Sequence, residues 1–283
     1  MTGVASSASG FSVGHANGVC HLRHVAIVPQ MQSRGVKQTL NFSMDDRQGS
    51  LLRNIQNPWL LAIDTSTEQA SIALFDGHQL SEMTWPAGRD QTVSLLDQID
   101  HLLTLSKLSI ADVSAVGIAI GPGMFSGLSV GMSIAKGFAL SANLPLIGIS
   151  TLDAVALPHQ SCSLPVIAVL AAGRGRLLWA SYADGQVGDP RNGTAEELLA
   201  EIDTDGIDAL ICGEMTASQR SILCTSPSVH MPPSVGGASR ASAVAELAWR
   251  RFENSEFDDA VTLEPIYLHA ASPRSTGGGE GEG

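Results

Sequence analysis

The chain has 283 residues with 16 basic and 28 acidic side chains, a formal net charge of −12. At 44% hydrophobic and 16% charged residues it is too apolar for a disordered or solvating protein. Its acidity excludes a stand-alone nucleic-acid binder, whose affinity rests on clustered Lys and Arg.

The charge is uneven. Residues 1–57 carry Arg23, Arg34, Lys37, Arg47 and Arg53 against Asp45 and Asp46, a net of +3, which leaves −15 on the remainder. This first stretch is rich in Ser, Gly and Gln and has neither a helical nor a strand period. It reads as a disordered extension, or as sequence upstream of a start at Met31 or Met44. Arg is sparse for a transit peptide, and an apolar run of signal length is missing. The cluster Cys20-His21-Leu22-Arg23-His24 has no second Cys at finger spacing and reads as solvated chain.

The pattern changes at Trp59. Trp59–Ile63 is a short apolar run that stops at Asp64-Thr65-Ser66-Thr67, and Ala70–Phe75 and Gln79–Trp85 complete a three-strand meander around Asp76-Gly77. Gln91–Lys107 is predicted as a helix, with Leu95, Ile99 and Leu102 on one face, Leu96 and Leu103 beside it, and Asp97, Gln98 and His101 opposite. Val113–Ile120 is a fully apolar strand. The glycine loop Gly121-Pro122-Gly123-Met124-Phe125-Ser126-Gly127 follows, with Ser126 as the expected N-cap of a helix ending near Asn143. Along that helix Gly127, Gly131, Ala135 and Ala139 form a ridge of small residues that admits a close neighbour. Leu146–Ile149 and Thr151–Leu157 are a strand and a short helix.

A weaker echo begins at Pro165. Val166–Leu170 and Leu177–Tyr182 are strands joined by Gly173-Arg174-Gly175-Arg176. A helix over Thr194–Ile202 opens with the capping box Thr194-Ala195-Glu196-Glu197. Ala209–Cys212 and Val229–Met231 are further strands, and Ala241–Phe252 is a last amphipathic helix. The order β-β-β-α-β-α-β-α, then repeated in part, predicts an α/β protein of duplicated ribonuclease-H-like fold in two lobes. The expected division is 58–160 and 161–270, the second lobe degenerate, with a Gly/Glu tail over 271–283. Apolar stretches around 134–149 are broken by Lys136, Asn143 and Pro145 short of membrane-spanning length. Cys20, Cys162, Cys212 and Cys224 show no CxxC spacing and read as reduced, buried thiols of a cytoplasmic protein.

Asp64 is the leading candidate for a functional acid, because ligands of open α/β sheets bind outside the carboxyl ends of strands. Thr65 and Ser66 could offer donors to a phosphate; the alternative is an Asp that caps its own turn. The glycine loop fits neither GxGxxG nor the P-loop. Arg174 and Arg176 face either an anion or solvent. The body's histidines, His78, His101, His159, His230 and His269, are scattered, and no catalytic triad or metal set emerges.

Four segments carry a resemblance: Leu61–Thr67, Gly117–Leu128, Ala135-Lys136-Gly137 and Gly148–Leu152, with a closing Pro265-Ile266-Tyr267-Leu268. Together they resemble the bacterial TsaB (YeaZ) family from about Trp59 to Leu268. The resemblance implies a duplicated actin/Hsp70-type (ASKHA) ATPase fold. It implies a non-catalytic subunit that dimerises with and activates TsaD in making N6-threonylcarbamoyladenosine beside the anticodon of tRNAs reading codons that start with A. TsaE is the associated ATPase, a TsaC-type enzyme supplies threonylcarbamoyl-AMP, tRNA is reached through the complex, and a homodimer is possible without TsaD.

Where the related catalytic TsaD has metal-binding histidines, this chain has Ser150-Thr151-Leu152-Asp153-Ala154-Val155, so no catalytic residue and no metal is implied. The resemblance places a weak, vestigial nucleotide site at Asp64, Thr65, Ser66, Gly121 and Gly123, with ATP or ADP bound at low affinity or at the complex interface. The loop departs from the family at Met124, Ser126 and Ser129. The implied partner interface is Leu95, Ile99, Leu102, Gly127, Gly131, Ala135 and Ala139; the alternative is that both faces serve the internal core. The competing function is an active small-molecule kinase of the same fold using Asp64.

Overall fold

The computed structural model describes residues 57–87, 91–233 and 240–268. The extension expected over 1–57, apart from Asn57, and the tail expected over 271–283 lie outside the described residues, as does the Cys20–His24 cluster.

The first five-stranded sheet is built from β1 (Trp59–Asp64), β2 (Gln69–Phe75), β3 (Leu80–Pro86), β4 (Val113–Gly121) and β5 (Leu146–Ser150). Its order is β3-β2-β1-β4-β5, antiparallel on the meander side and parallel between β1, β4 and β5. Helices α1 (Gln91–Leu105) and α2 (Phe125–Ala142) supply the two parallel crossovers, and α3 (Thr151–Ala156) follows β5. The second sheet holds β6 (Val166–Ala171), β7 (Leu177–Ala183), β8 (Gln186–Val187), β9 (Arg191–Gly193), β10 (Ala209–Glu214) and β11 (Val229–His230). Its order is β11-β10-β6-β7-β8, with β9 also on β7. Helices α4 (Ala195–Asp205), α5 (Ala217–Leu223) and α6 (Ala241–Glu253) complete the chain. The second sheet repeats the first: an antiparallel hairpin on one side of β6, parallel pairing on the other.

The two faces of the first sheet are packed differently, and the sequence explains why. Leu61, Ile63, Val116 and Ile118 point to the side covered by α1 and α2. Leu60, Ala62, Ala73, Ala115 and Ala119 point to the other side, where they meet Ala241, Val244, Ala245 and Ala248 of α6. Small side chains on both partners let α6 approach closely: a Cβ on Gly117 would stand 2.9 Å from Ala248 Cβ. The start of α6 is fixed to the meander. Ser71 Oγ accepts from Ala241 N at 2.9 Å, and Glu82 Oε1 accepts from Ser242 N at 3.1 Å, satisfying donors that have no partner within the helix.

This placement of α6 revises the lobe division. The cut at 160 separates the sheets but not the helices. α6, assigned to the second lobe from its position in the chain, covers the first sheet. α3, assigned to the first lobe, lays Leu152, Val155 and Ala156 on Val166, Ala168, Leu170 and Cys212 of the second. The outer face of the second sheet is covered by Leu198 and Ile202 of α4 and Leu223 of α5. The exchange of α3 and α6 ties the lobes together through apolar burial.

The edge strand β5 is sealed by the segment after α6. Asp258 N donates to Leu146 O at 2.8 Å, Asp258 Oδ2 accepts from Gly148 N at 2.7 Å, and Arg251 Nη1 donates to Gly148 O at 2.8 Å. The salt bridge between Arg251 and Asp258, 3.1 Å, holds both in place. An open strand edge is a template for aggregation, and these contacts remove it. Arg251, on the last amphipathic helix, and Asp258 cover the edge together.

Two local expectations are corrected. Helix α2 begins at Phe125, so Ser126 is its second residue and caps nothing; the N-cap is Met124, without a side-chain bond. Of the cysteines within the described residues only Cys212 is buried, while Cys162 and Cys224 are exposed. Helix α5, which the sequence reading missed, carries its own capping box between Thr216 and Gln219.

Gly117→Val should cost about 1–3 kcal/mol by forcing α6 away from the sheet. Gly137→Ala, on the outer side of α2 where an added Cβ meets nothing within 4 Å, should stabilise by about 0.5–1 kcal/mol. Urea unfolding of the two variants measures both, and equal midpoints would contradict the packing described for α6.

Candidate functional site

The polar run at the end of β1 is buried without a break: Asp64, Thr65, Ser66 and Thr67 are each no more than 6% exposed. Burying four polar side chains requires a partner for each. Asp64 Oδ1 accepts from Ser66 N at 2.9 Å and from Ser66 Oγ at 2.5 Å, closing the turn on itself. Thr65 Oγ1 donates to Gly127 O at 2.8 Å, in the first turn of α2. Thr67 Oγ1 lies 2.9 Å from Glu214 Oε1 at the end of β10, a bond between the two lobes.

The glycine loop is folded down on this turn. Met124 N donates to Ser66 O at 2.7 Å. A Cβ at Gly123 would collide with Ser66 O, so only glycine allows the loop to lie this close. Gly121, at φ +105°, faces the other way, toward Ile266 O. The five residues expected to form a nucleotide site are therefore split. Ser66 touches Asp64 on one side and Gly123 on the other, Thr65 is turned into α2, and Gly121 backs onto the segment after α6. Asp64 thus uses one carboxylate oxygen to cap its own turn, and the loop backbone covers Ser66.

The seven residues expected at a partner interface are all in the interior. Leu95 and Ala135 are fully buried, Ile99, Leu102 and Ala139 nearly so, and Gly127 and Gly131 face the core. These residues pack within the chain itself, as the alternative of an internal core expects. Gly131 is bare because Thr65 fills the space its side chain would take: a Cβ there would collide with Thr65 Oγ1. The outer faces of the same two helices carry the exposed apolar groups instead, Leu96 and Leu105 on α1 and Phe125 and Leu140 on α2, between 46% and 69% exposed. Leu96 was visible in the sequence as a flank of the apolar stripe; Leu140 had no periodic signal of its own.

In the second lobe Arg174 is exposed in the left-handed region, φ 62°. Arg176 is bound inside the protein, its Nε donating to Asn192 Oδ1 at 2.6 Å and its Nη2 to Asn192 O at 2.5 Å. Tyr182 donates to Asp153 Oδ1 at 2.7 Å across the contact between α3 and β7. Burial, with the Asp153 carboxylate beside it, holds the Tyr182 phenol far above its usual range, and burial pushes the Cys212 thiol up to about 12. Both groups are neutral donors, which suits a structural contact. Among the described residues no three His, Cys, Asp or Glu side chains gather as metal ligands, and no helix is long and apolar enough to cross a membrane.

Residues 86–273 match the family described as TsaD: tRNA N6-adenosine threonylcarbamoyltransferase. The chain belongs to this family. Within it the chain stands with the TsaB (YeaZ) proteins. It is 37% identical over 125 residues to the tRNA threonylcarbamoyladenosine biosynthesis protein TsaB of Escherichia coli, covering 44% of this chain and 54% of that one. The TsaB of Haemophilus influenzae is 43% identical over 102 residues, covering 36% and 43%. The chain thus spans about half the length of the curated relatives it matches. YeaZ from Pseudomonas aeruginosa superposes with a TM-score of 0.63 at 23% identity, over 75% of this chain and all of that one. The duplicated sheets and this likeness give the TsaB-family chain an ASKHA-type fold.

Gly131→Ala should destabilise by about 1–3 kcal/mol, through the clash with the Thr65 hydroxyl. Adding Thr65→Ala should restore part of that loss, a favourable coupling between the two positions. Denaturant unfolding of the two single variants and the double variant provides the cycle; strict additivity would remove Thr65 from the notch.

Proposed function

We propose that this chain is a non-catalytic subunit in the synthesis of N6-threonylcarbamoyladenosine beside the anticodon of tRNAs reading codons that start with A. It acts in the cytoplasm by pairing with TsaD and activating it. The observation that supports this reading is the closed strand-end turn: in a TsaB-family chain the best-placed acid, Asp64, has Oδ1 bonded to Ser66, and the glycine loop packs on Ser66 through Gly123 and Met124. A phosphate-transfer enzyme of this fold needs that acid and loop open to a ligand. A subunit that supports a catalytic partner does not.

Burial supports a partner surface on the solvent side of α1 and α2 rather than at the expected interface residues, with Leu96, Phe125 and Leu140 among its exposed apolar groups. Gly137 lies on that side with open space around it, which suits close approach of another helix. TsaE joins the complex as its ATPase, and in the absence of TsaD the same face serves a homodimer. The acidic body has little to offer phosphate, so tRNA is bound through the partners.

Leu96→Asp combined with Leu140→Asp should abolish co-purification with TsaD while the melting temperature stays within a few degrees of wild type. Retention of the complex by this variant would move the interface elsewhere. The chain should hold no cofactor tightly of its own: calorimetric titration with ATP-Mg should give no submicromolar binding. Tight binding with steady turnover would instead establish a kinase.

A further inference from the structure

The segment after α6 does more than seal β5. From Val261 to Leu268 it runs beside α2 and then crosses to the second lobe. Lys136 Nζ donates to Val261 O at 3.2 Å, Leu263 packs in the first-lobe core, and Ile266 N donates to Ile120 O at 2.7 Å. The Tyr267 ring stacks on Phe125, centroids 5.1 Å apart, with its hydroxyl 3.4 Å from Ser129 Oγ. One residue later the chain is in the other lobe. Leu268 packs against the cluster of Val166, Leu170 and Tyr182, and its carbonyl accepts from Asn192 Nδ2 at 3.2 Å. Asn192 is the residue that holds Arg176.

We propose that Val261–Leu268 is a strap that couples the setting of the two lobes to the exposed start of α2. The strap has one end in each lobe, and its middle is the aromatic pair Phe125–Tyr267, 69% and 36% exposed. A residue spans at most about 3.6 Å, so Leu268 cannot leave the second lobe's core without drawing Tyr267 off Phe125. Near the strand-end turn, Thr67 bonds Glu214 of the second lobe. Strap and bond together bracket the glycine loop. A movement of the second lobe is therefore delivered to Phe125, at one end of the face assigned to TsaD; this last step rests on the function proposed above.

The test uses the full chain and hydrogen–deuterium exchange. Leu268→Ala, and separately Asn192→Ala, should speed exchange by about threefold or more at residues 120–129 as well as in 176–193. Strands β2 and β3 should be unchanged. Acceleration confined to 264–268, or spread evenly into β2 and β3 in both variants, would overturn the coupling. Co-purification then separates the two readings. If wild type retains TsaD and Leu268→Ala retains it several-fold less, the strap controls the partner face. Equal retention refutes that control. Should wild type itself fail to retain TsaD, the proposed function falls, and the exchange results alone decide whether the strap couples the lobes.

Discussion

Four consecutive buried polar side chains, Asp64 to Thr67, constrain what surrounds the end of β1. Each needs a partner, since an unpaired buried hydroxyl costs roughly 1–3 kcal/mol. Asp64 takes Ser66, Thr65 takes the carbonyl of Gly127, and Thr67 reaches Glu214 in the other lobe. From this follow the two bare positions facing the turn, at Gly123 in the loop and Gly131 in α2. α2 must lie close enough for Thr65 to reach its first turn, and it can do so only where Cβ is absent. The glycine loop is thus fitted closely to the turn of its own chain.

The second constraint is the exchange of helices. α6 returns from the end of the chain to cover the first sheet, and α3 leaves the first lobe to cover the second. Each sheet therefore has one face covered by a helix that lies beyond it in the chain order of the lobes. Neither lobe buries both faces of its sheet by itself, so the lobes depend on one another for their cores. Ala-rich packing under α6 makes that contact close as well as extensive.

Much of this was legible in the sequence, and the misses have physical causes. The long strands and helices announced themselves by period, and the capping box at Thr194 located α4 closely. Periodicity says which face of a helix is apolar but not which sheet it covers, so α3 and α6 were assigned to their neighbours in the chain. The ridge Gly127, Gly131, Ala135 and Ala139 was read as a partner surface because small residues serve a docking helix and an internal clash-free contact equally well. Only Thr65, 66 residues before Gly131, decides between them, and nothing local to α2 reveals it. Helix α5 was missed although Thr216 and Gln219 form the same capping signature; at seven residues it is too short for a periodic signal. The acid at the strand end was legible, and its Oδ1 bonds Ser66 in its own turn, as one of the two readings of Asp64 expects.

The two lobes are held in close contact by the apolar packing of α3 and α6, and that contact bears on the apolar groups exposed on α1 and α2. Both helices rest on the first sheet, whose opposite face depends on α6, so the outer surface of the pair is only as rigid as the contact between lobes. A partner that reads Leu96, Phe125 and Leu140 together needs their spacing fixed before it arrives, because ordering them on binding would subtract from affinity. The second lobe contributes to that rigidity through the packing of α3 on its sheet. On the function proposed above, the duplicated architecture serves as a scaffold, and the rigidity of its partner face rests on the packing under the helices rather than on the strand ends.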